Sequence, residues 1–481
     1  MADRLSPLDV SFLYMEGTST PMHVGGVATF EVPEEGFDYD RLVGLIEERI
    51  ALVPRYRQRV KWIPGRIANP VWIDDEHFDF AYHVRRSALP KPGTDAQLRE
   101  LVGRIMARPL DRSRPLWEMY LVEGLQRGRF AILTKTHHAM VDGIAAVDIA
   151  QVILDGSPGA MHTVSEPWRP AREPHGATLV LGALADLVRR PATIVDAARA
   201  GLEDVERTVA RVGSFASGVA SAAWTVARPP ADSVLNASTG EARRFATADT
   251  SLEDYKKIRR AHGGTINDVV LAVVAGGLRS WLMTRGESVT ARTTIRALVP
   301  VSVRPQTDAD ADGWTVGNRI AAILVDLPVG EGAAVIRLQR VSFEMAAHKE
   351  SGQLLGADAL VGLAGFAPST IHSLGSRAAN GLSRRVFNIV VTNVPGPQYP
   401  LFAGGARMLT AYPVVPLAKG QAVSIGLTSY DGGVYYGLNA DRDSMPDVDV
   451  LAQCLTDSLA ELVATVENKQ RRRPRPKVDS E

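Results

Sequence analysis

Apolar positions along the chain alternate with a period of two in some segments and of three to four in others. Trp117, Met119 and Leu121 alternate with Glu118 and Tyr120; Glu123-Gly-Leu-Gln-Arg-Gly128 follows, then Phe130-Ala-Ile-Leu-Thr-Lys-Thr136. That pattern, broken at two glycines, predicts a β-hairpin whose second strand delivers His137. Upstream, His23–Glu31 reads as a strand, and Tyr39–Ala51 and Asp95–Ala107 read as helices. From Gly143 to Leu154 the apolar residues Ile144, Val147, Ile149, Val152 and Ile153 fall on most faces of a helix, as expected of one packed on two sides.

The pattern changes at Gly156–Gly176, where Pro158, Pro167, Pro170 and Pro174 mark a surface connection. Ala177–Ala227 reads as a helical crossover interrupted at Pro191 and ended by Pro229-Pro230. Mixed α/β periodicity then returns. Helices are predicted near Asn267–Trp281, Ala333–Lys349 and Val448–Val466. Strands are predicted at Ile295–Val303, Arg319–Leu327, Phe387–Asn393, Gln421–Tyr430 and Gly433–Asn439. The expected architecture is α/β, with an N-terminal subdomain at 1–165, a linker and crossover at 166–232, a C-terminal subdomain at 233–468 and a basic disordered tail at 469–481.

With 481 residues, 45% hydrophobic and 22% charged, the chain is long enough for two or three ordinary domains and unlike a disordered or polytopic membrane protein. Its 54 basic residues cancel 54 acidic ones, so no global field favours nucleic acid. The single cysteine, Cys454, rules out an internal disulfide and is expected in the core of a cytoplasmic protein. The longest uncharged stretch, Val386–Ala406, is broken by Asn388, Asn393, Pro395, Pro397 and Pro400, so no membrane span is expected there.

Of ten histidines only His137 and His138 are adjacent, and Asp142 and Gly143 follow them at a strand-to-helix junction. Sheet rims are where α/β proteins place their sites. A neutral imidazole, with an ordinary pKa of about 6.5, can take a proton from a hydroxyl and return it to a leaving group. The structural alternative makes both histidines hydrogen-bonded loop residues and Asp142 a first-turn carboxylate. No ligand set for a metal, no nucleophile elbow and no phosphate-cradling glycine loop accompanies the motif.

Leu5-Ser-Pro-Leu-Asp9, Thr20-Pro-Met-His-Val-Gly-Gly26, Pro115-Leu-Trp117, His137-His-Ala-Met-Val-Asp-Gly143, Asn267-Asp268, Val299-Pro-Val-Ser-Val-Arg304 and Asn393-Val-Pro-Gly-Pro397 occur in that order. Together they resemble the bacterial wax ester synthase/diacylglycerol acyltransferase family, over a span from about Leu5 to Val466. The resemblance implies a fold like chloramphenicol acetyltransferase, with two related subdomains, a helical linker and a tunnel between them.

It also implies roles. His138 would be the base that deprotonates the acceptor hydroxyl for attack on an acyl-CoA thioester, and Asn267 would steady the oxyanion. His137, Asp142 and Gly143 would shape the motif, and Asp268 would cap the following helix. Pro115, Leu116 and Trp117 would line the acyl pocket, although strand alternation explains Trp117 equally well as core. No cofactor is implied beyond acyl-CoA as co-substrate. The acceptor would be diacylglycerol or, in wax ester synthesis, a fatty alcohol, met at a membrane or lipid-droplet surface to which the enzyme binds peripherally. A catalytically silent lipid-surface protein on the same fold is the alternative of another class, and a condensation-type acyltransferase a third.

Overall fold

The computed structural model of the chain describes residues 3–66, 68–140, 152–159, 168–189, 230–231, 233–303, 319–351 and 386–471. The first half contributes β1 (Asp3–Arg4), α1 (Pro7–Met15), β2 (His23–Glu31), α2 (Tyr39–Arg49), β3 (Gln58–Lys61), β4 (Val71–Asp74), α3 (Phe80–His83), β5 (Val84–Ala88), α4 (Asp95–Ala107), β6 (Trp117–Leu125) and β7 (Arg129–His137). Helix α5 (Gly176–Arg189) opens the crossover. The second half contributes β8 (Arg243–Ser251), α6 (Leu252–His262), α7 (Ile266–Thr284), β9 (Ile295–Val303), β10 (Arg319–Leu327), α8 (Ala334–Ser351) and β11 (Ile389–Pro395). It ends with β12 (Phe402–Ala403), β13 (Ala406–Val414), β14 (Val423–Tyr430), β15 (Gly433–Asp441) and α9 (Val448–Arg471).

Two six-stranded sheets carry the architecture, one in the order β12-β13-β2-β7-β6-β5 and the other β10-β9-β11-β14-β15-β8; a small sheet β1-β4-β3 stands apart. The expected hairpin is present as antiparallel β6 and β7. Its turn places Gly124, Arg127 and Gly128 at positive φ. The strands Ile295–Val303 and Arg319–Leu327 form over the expected residues and pair antiparallel along their length.

The division at residue 233 separates the sequence but not the sheets. β13, from the second half, pairs antiparallel with β2 and so completes the N-terminal sheet. At its C-terminal end β13 crosses the face of β14 and β15 at Gly426 and Gly437, which are cross-strand partners. A Cβ at Gly437 would sit 2.0 Å from the Pro413 carbonyl oxygen, and one at Gly426 would sit 2.7 Å from Val415 Cγ2. Only glycine leaves room for that crossing. On the other side, α4 of the first half packs against β8 of the second, with Gly103 so close that a Cβ would lie 2.8 Å from the Arg243 carbonyl oxygen.

The C-terminal core is built around α7, whose residues Val269–Leu278 are all buried. By length and composition this helix is apolar enough to cross a membrane, but 72% of its apolar window is buried, and it packs against α8 and α9. Cys454 is buried on α9. That helix continues to Arg471, beyond the expected end at Val466, and Lys469 Nζ donates to the Ala261 carbonyl at 2.7 Å. The first residues assigned to the tail are therefore helical. The expected helix over Gly143–Leu154 and the crossover beyond Arg189 lie outside the described residues, except for 152–154.

Candidate active site

The motif segment leaves the sheet at the end of β7, where His137 pairs with His23 of β2. Three hydrogen bonds turn it into a 3-10 helix at His138–Met140. The His137 N–H donates to Leu116 O at 2.9 Å, and the His138 N–H to Met22 O at 2.8 Å. The Ala139 N–H donates to Nδ1 of His137 at 3.1 Å. Since Nδ1 accepts, the neutral ring of His137 carries its proton on Nε2.

The two adjacent imidazoles end up in different surroundings. His137 is fully buried, whereas His138 is half-buried. The His138 ring stacks on Phe12, with centroids 4.0 Å apart and planes at 20°. Phe12 comes from α1, and the sequence determines where that helix starts. Ser6 accepts from the Asp9 N–H at 3.1 Å, Asp9 accepts from the Ser6 N–H at 3.2 Å, and Pro7 occupies the first helical position. The Leu5-Ser-Pro-Leu-Asp9 motif is thus a capping box that aims Phe12.

Behind His137 lies a buried polar cluster whose Glu16 and Arg112 no motif included. Glu16, 6% exposed, places Oε1 3.1 Å from His23 Nε2 and Oε2 3.7 Å from His137 Nε2. Arg112 donates to Glu16 Oε2 from Nε at 2.8 Å and from Nη2 at 2.5 Å. Burial pushes the Glu16 carboxyl up, but bonding and charge from His137 and His23 outweigh it and hold the group well below the usual carboxylate range. Burial lowers both imidazoles, His23 to about 4, and Arg112 is the paired cation beside Glu16. Of its members only His23 stands within a motif, Thr20-Pro-Met-His-Val-Gly-Gly26.

Pro115, Leu116 and Trp117 are buried at the start of β6. The Trp117 indole donates from Nε1 to Tyr56 O at 2.7 Å and stacks on His83 at 4.8 Å, inside the N-terminal hydrophobic core. Leu116 reaches the motif through its backbone, as the acceptor for His137.

In the other half, Thr265 caps α7 reciprocally with Asp268: the Thr265 N–H donates to Asp268 Oδ2 at 2.8 Å, and the Asp268 N–H to Thr265 Oγ1 at 3.1 Å. This capping box puts Asn267 in the first turn of α7, half-buried, where the unpaired N–H groups of a helix start favour negative charge. Asn393 of β11 donates from Nδ2 to Asn267 Oδ1 at 3.3 Å. With its oxygen engaged, Asn267 keeps its NH2 group as a donor. The structure therefore adds Asn393, from the Asn393-Val-Pro-Gly-Pro397 motif, to the asparagine already singled out. Asp142 and Gly143 lie outside the described residues.

The wax ester synthase/diacylglycerol acyltransferase catalytic domain matches residues 5–270, and the C-terminal domain of the same family matches 316–463. The probable diacylglycerol O-acyltransferase tgs2 of Mycobacterium tuberculosis is 35% identical over 475 residues, covering 96% of this chain and 99% of the relative. Among solved structures, the wax ester synthase/diacylglycerol acyltransferase from Marinobacter aquaeolei VT8 superposes with a TM-score of 0.67 at 28% identity, over 96% of this chain and 100% of that one. A condensation domain of the calcium-dependent antibiotic synthetase, at 17% identity and a TM-score of 0.55 over 96% of each chain, shares the fold. With both domain models matched in order and the relatives aligned nearly end to end, the chain belongs to the wax ester synthase/diacylglycerol acyltransferase family, on the chloramphenicol acetyltransferase-like fold.

Proposed function

We propose that this enzyme is an acyl-CoA-dependent O-acyltransferase that makes triacylglycerol from diacylglycerol and a long-chain acyl-CoA, with His138 as the base. One observation carries the assignment of the base. Of the two adjacent imidazoles, His137 is fully buried with Nδ1 occupied by a backbone N–H, while His138 is half-buried at the turn that leaves the sheet and stacks on Phe12.

His138 takes the proton of the acceptor hydroxyl as that oxygen attacks the thioester carbonyl. The tetrahedral oxyanion forms near the start of α7, where the Asn267 NH2 group donates to it. The oxyanion collapses, the C–S bond breaks, and the imidazolium returns the proton to the CoA thiolate. A thioester is already activated, so holding both substrates together removes the need for an acyl-enzyme. His137 and Asp268 act as scaffold, as do Asp142 and Gly143 by their place in the motif. Leu116 and Trp117 support the strand from which the motif departs. Acceptor and product are both dissolved in lipid, so the enzyme works peripherally at a membrane or lipid-droplet surface.

The test is release of free CoA by purified protein given palmitoyl-CoA with diacylglycerol, hexadecanol or water. Diacylglycerol-dependent release that falls on the order of a hundredfold or more in a folded His138→Ala variant is expected. Release with hexadecanol alone would make the enzyme a wax ester synthase, and full activity of His138→Ala would remove the base assignment.

A further inference from the structure

Glu16 touches nearly everything that fixes His138. Its Oε1 accepts the Met22 N–H at 3.4 Å, and the Met22 carbonyl receives the His138 N–H at 2.8 Å. Its Oε2 faces Nε2 of His137 at 3.7 Å, and the other nitrogen of that ring receives the Ala139 N–H at 3.1 Å. Its own N–H closes α1 by donating to Phe12 O at 3.2 Å, and Phe12 is the residue stacked on His138. The backbone before His138, the backbone after it and the ring beneath it thus converge on one residue.

Packing alone would not select a carboxylate here, because a buried charge costs several kcal/mol unless it is paired. The two oxygens accept from the Met22 N–H and the Arg112 guanidinium while presenting negative charge to the Nε2 atoms of His23 and His137 at 3.1 and 3.7 Å, a combination that only a carboxylate of that length provides. The negative oxygen also keeps the His137 proton on Nε2, which leaves Nδ1 free to accept from Ala139.

We infer that Glu16 is a positioning residue for acyl transfer, holding the His137–Ala139 segment and the Phe12 platform so that the His138 imidazole stays aligned with the reacting hydroxyl. This rests on the reading of His138 as the base. A Gln at this position offers donors where donors already point. Its NH2 group would face either the Met22 N–H and His23 in the place of Oε1, or Arg112 and Nε2–H of His137 in the place of Oε2, and moving the His137 proton to Nδ1 would set two N–H groups against each other at Ala139.

The experiment compares Glu16→Gln, His138→Ala and Arg337→Gln in single-turnover release of CoA, with KM for acyl-CoA and thermal melting measured alongside. Arg337 is a buried residue of α8 paired with Glu461 at 2.7 Å, so its variant reports stability loss outside the motif segment. Glu16→Gln is expected to slow the single-turnover rate about ten- to a hundredfold, with KM unchanged, because small misplacements of a reacting group cost that much. Arg337→Gln is expected to lower melting at least as far while the folded enzyme keeps its rate. A wild-type rate in Glu16→Gln beside an inactive His138→Ala would overturn the inference. So would equal rate losses in Glu16→Gln and Arg337→Gln at equal melting temperature. If His138→Ala itself keeps its rate, the assignment of the base falls, and the positioning role with it.

Discussion

Asn393→Asp changes one atom of the donor that holds Asn267, and its effect should exceed that of deleting the side chain. Asn393 Nδ2 donates to Asn267 Oδ1 at 3.3 Å. A carboxylate at 393 cannot donate. It would instead attract the Asn267 NH2 group, rotating the amide so that its oxygen faces the place proposed for the oxyanion. That removes a donor and substitutes an acceptor, and loss of one such donor costs about 10²- to 10³-fold in kcat, or about 2.7–4 kcal/mol. Asn393→Ala only releases the amide. The loss is then one ordinary hydrogen bond of about 1 kcal/mol, roughly fivefold in rate. Single-turnover CoA release with palmitoyl-CoA and diacylglycerol would rank the variants, with melting curves to confirm folding. In an Asn267→Ala background both changes at 393 should have little further effect, since no amide remains to be turned. Asn393→Ala slower than Asn393→Asp, or a full effect of Asn393→Asp without Asn267, would refute the reasoning.

Gly437→Ala should destabilise by about 1–3 kcal/mol or more, because its Cβ would meet the Pro413 carbonyl oxygen at 2.0 Å; differential scanning calorimetry would read this as a fall of several degrees. Glu344, partly buried beside Asp326, has its carboxyl raised by desolvation to about 7, so the folded protein binds more protons than the unfolded chain between pH 4.5 and 7 and loses stability as pH rises through that window. Glu344→Gln should then stabilise at pH 8 by on the order of 1 kcal/mol after solvent screening and change little at pH 4, checked by urea unfolding at both values. His23 and His83 are both lowered to about 4 by burial, so the unfolded state binds the extra protons and melting temperature should fall as pH drops from 6.5 towards 4. His83→Gln should flatten that dependence, and an unchanged slope would contradict the assignment.

The strands that were legible from sequence had clear alternation or dense β-branching, as in β7, β9 and β10. Those that were not legible form by tertiary pairing. β8, Arg243-Arg-Phe-Ala-Thr-Ala-Asp-Thr-Ser251, has little hydrophobicity and is organised by β15 along its length. β13 contains Pro413, a residue that argues against a strand. It is tolerated because β2 is the partner along most of β13, with β12 pairing only at its first residues. At the site, the paired histidines and Asn267-Asp268 stood out because they are adjacent. Glu16 and Arg112 did not, and His23 did only as part of its motif, since their closeness depends on β2 lying beside β7 and on Arg112 reaching α1. An isolated acidic residue before a turn carries no local sign of a buried role.

The return of β13 to the N-terminal sheet also bears on how the chain comes off the ribosome. β2 is finished at Glu31, yet the strand that covers its open edge begins only at Ala406. At a synthesis rate of about 5–20 residues per second, that edge waits roughly 20–75 seconds for its partner. Throughout that interval a strand beginning His23-Val-Gly-Gly-Val27 presents unpaired backbone groups, the situation in which nascent chains pair with one another or with a holding chaperone. Expression of the first half alone would make this state permanent, so the N-terminal fragment should be aggregation-prone even though it contains His138 and everything that touches Glu16.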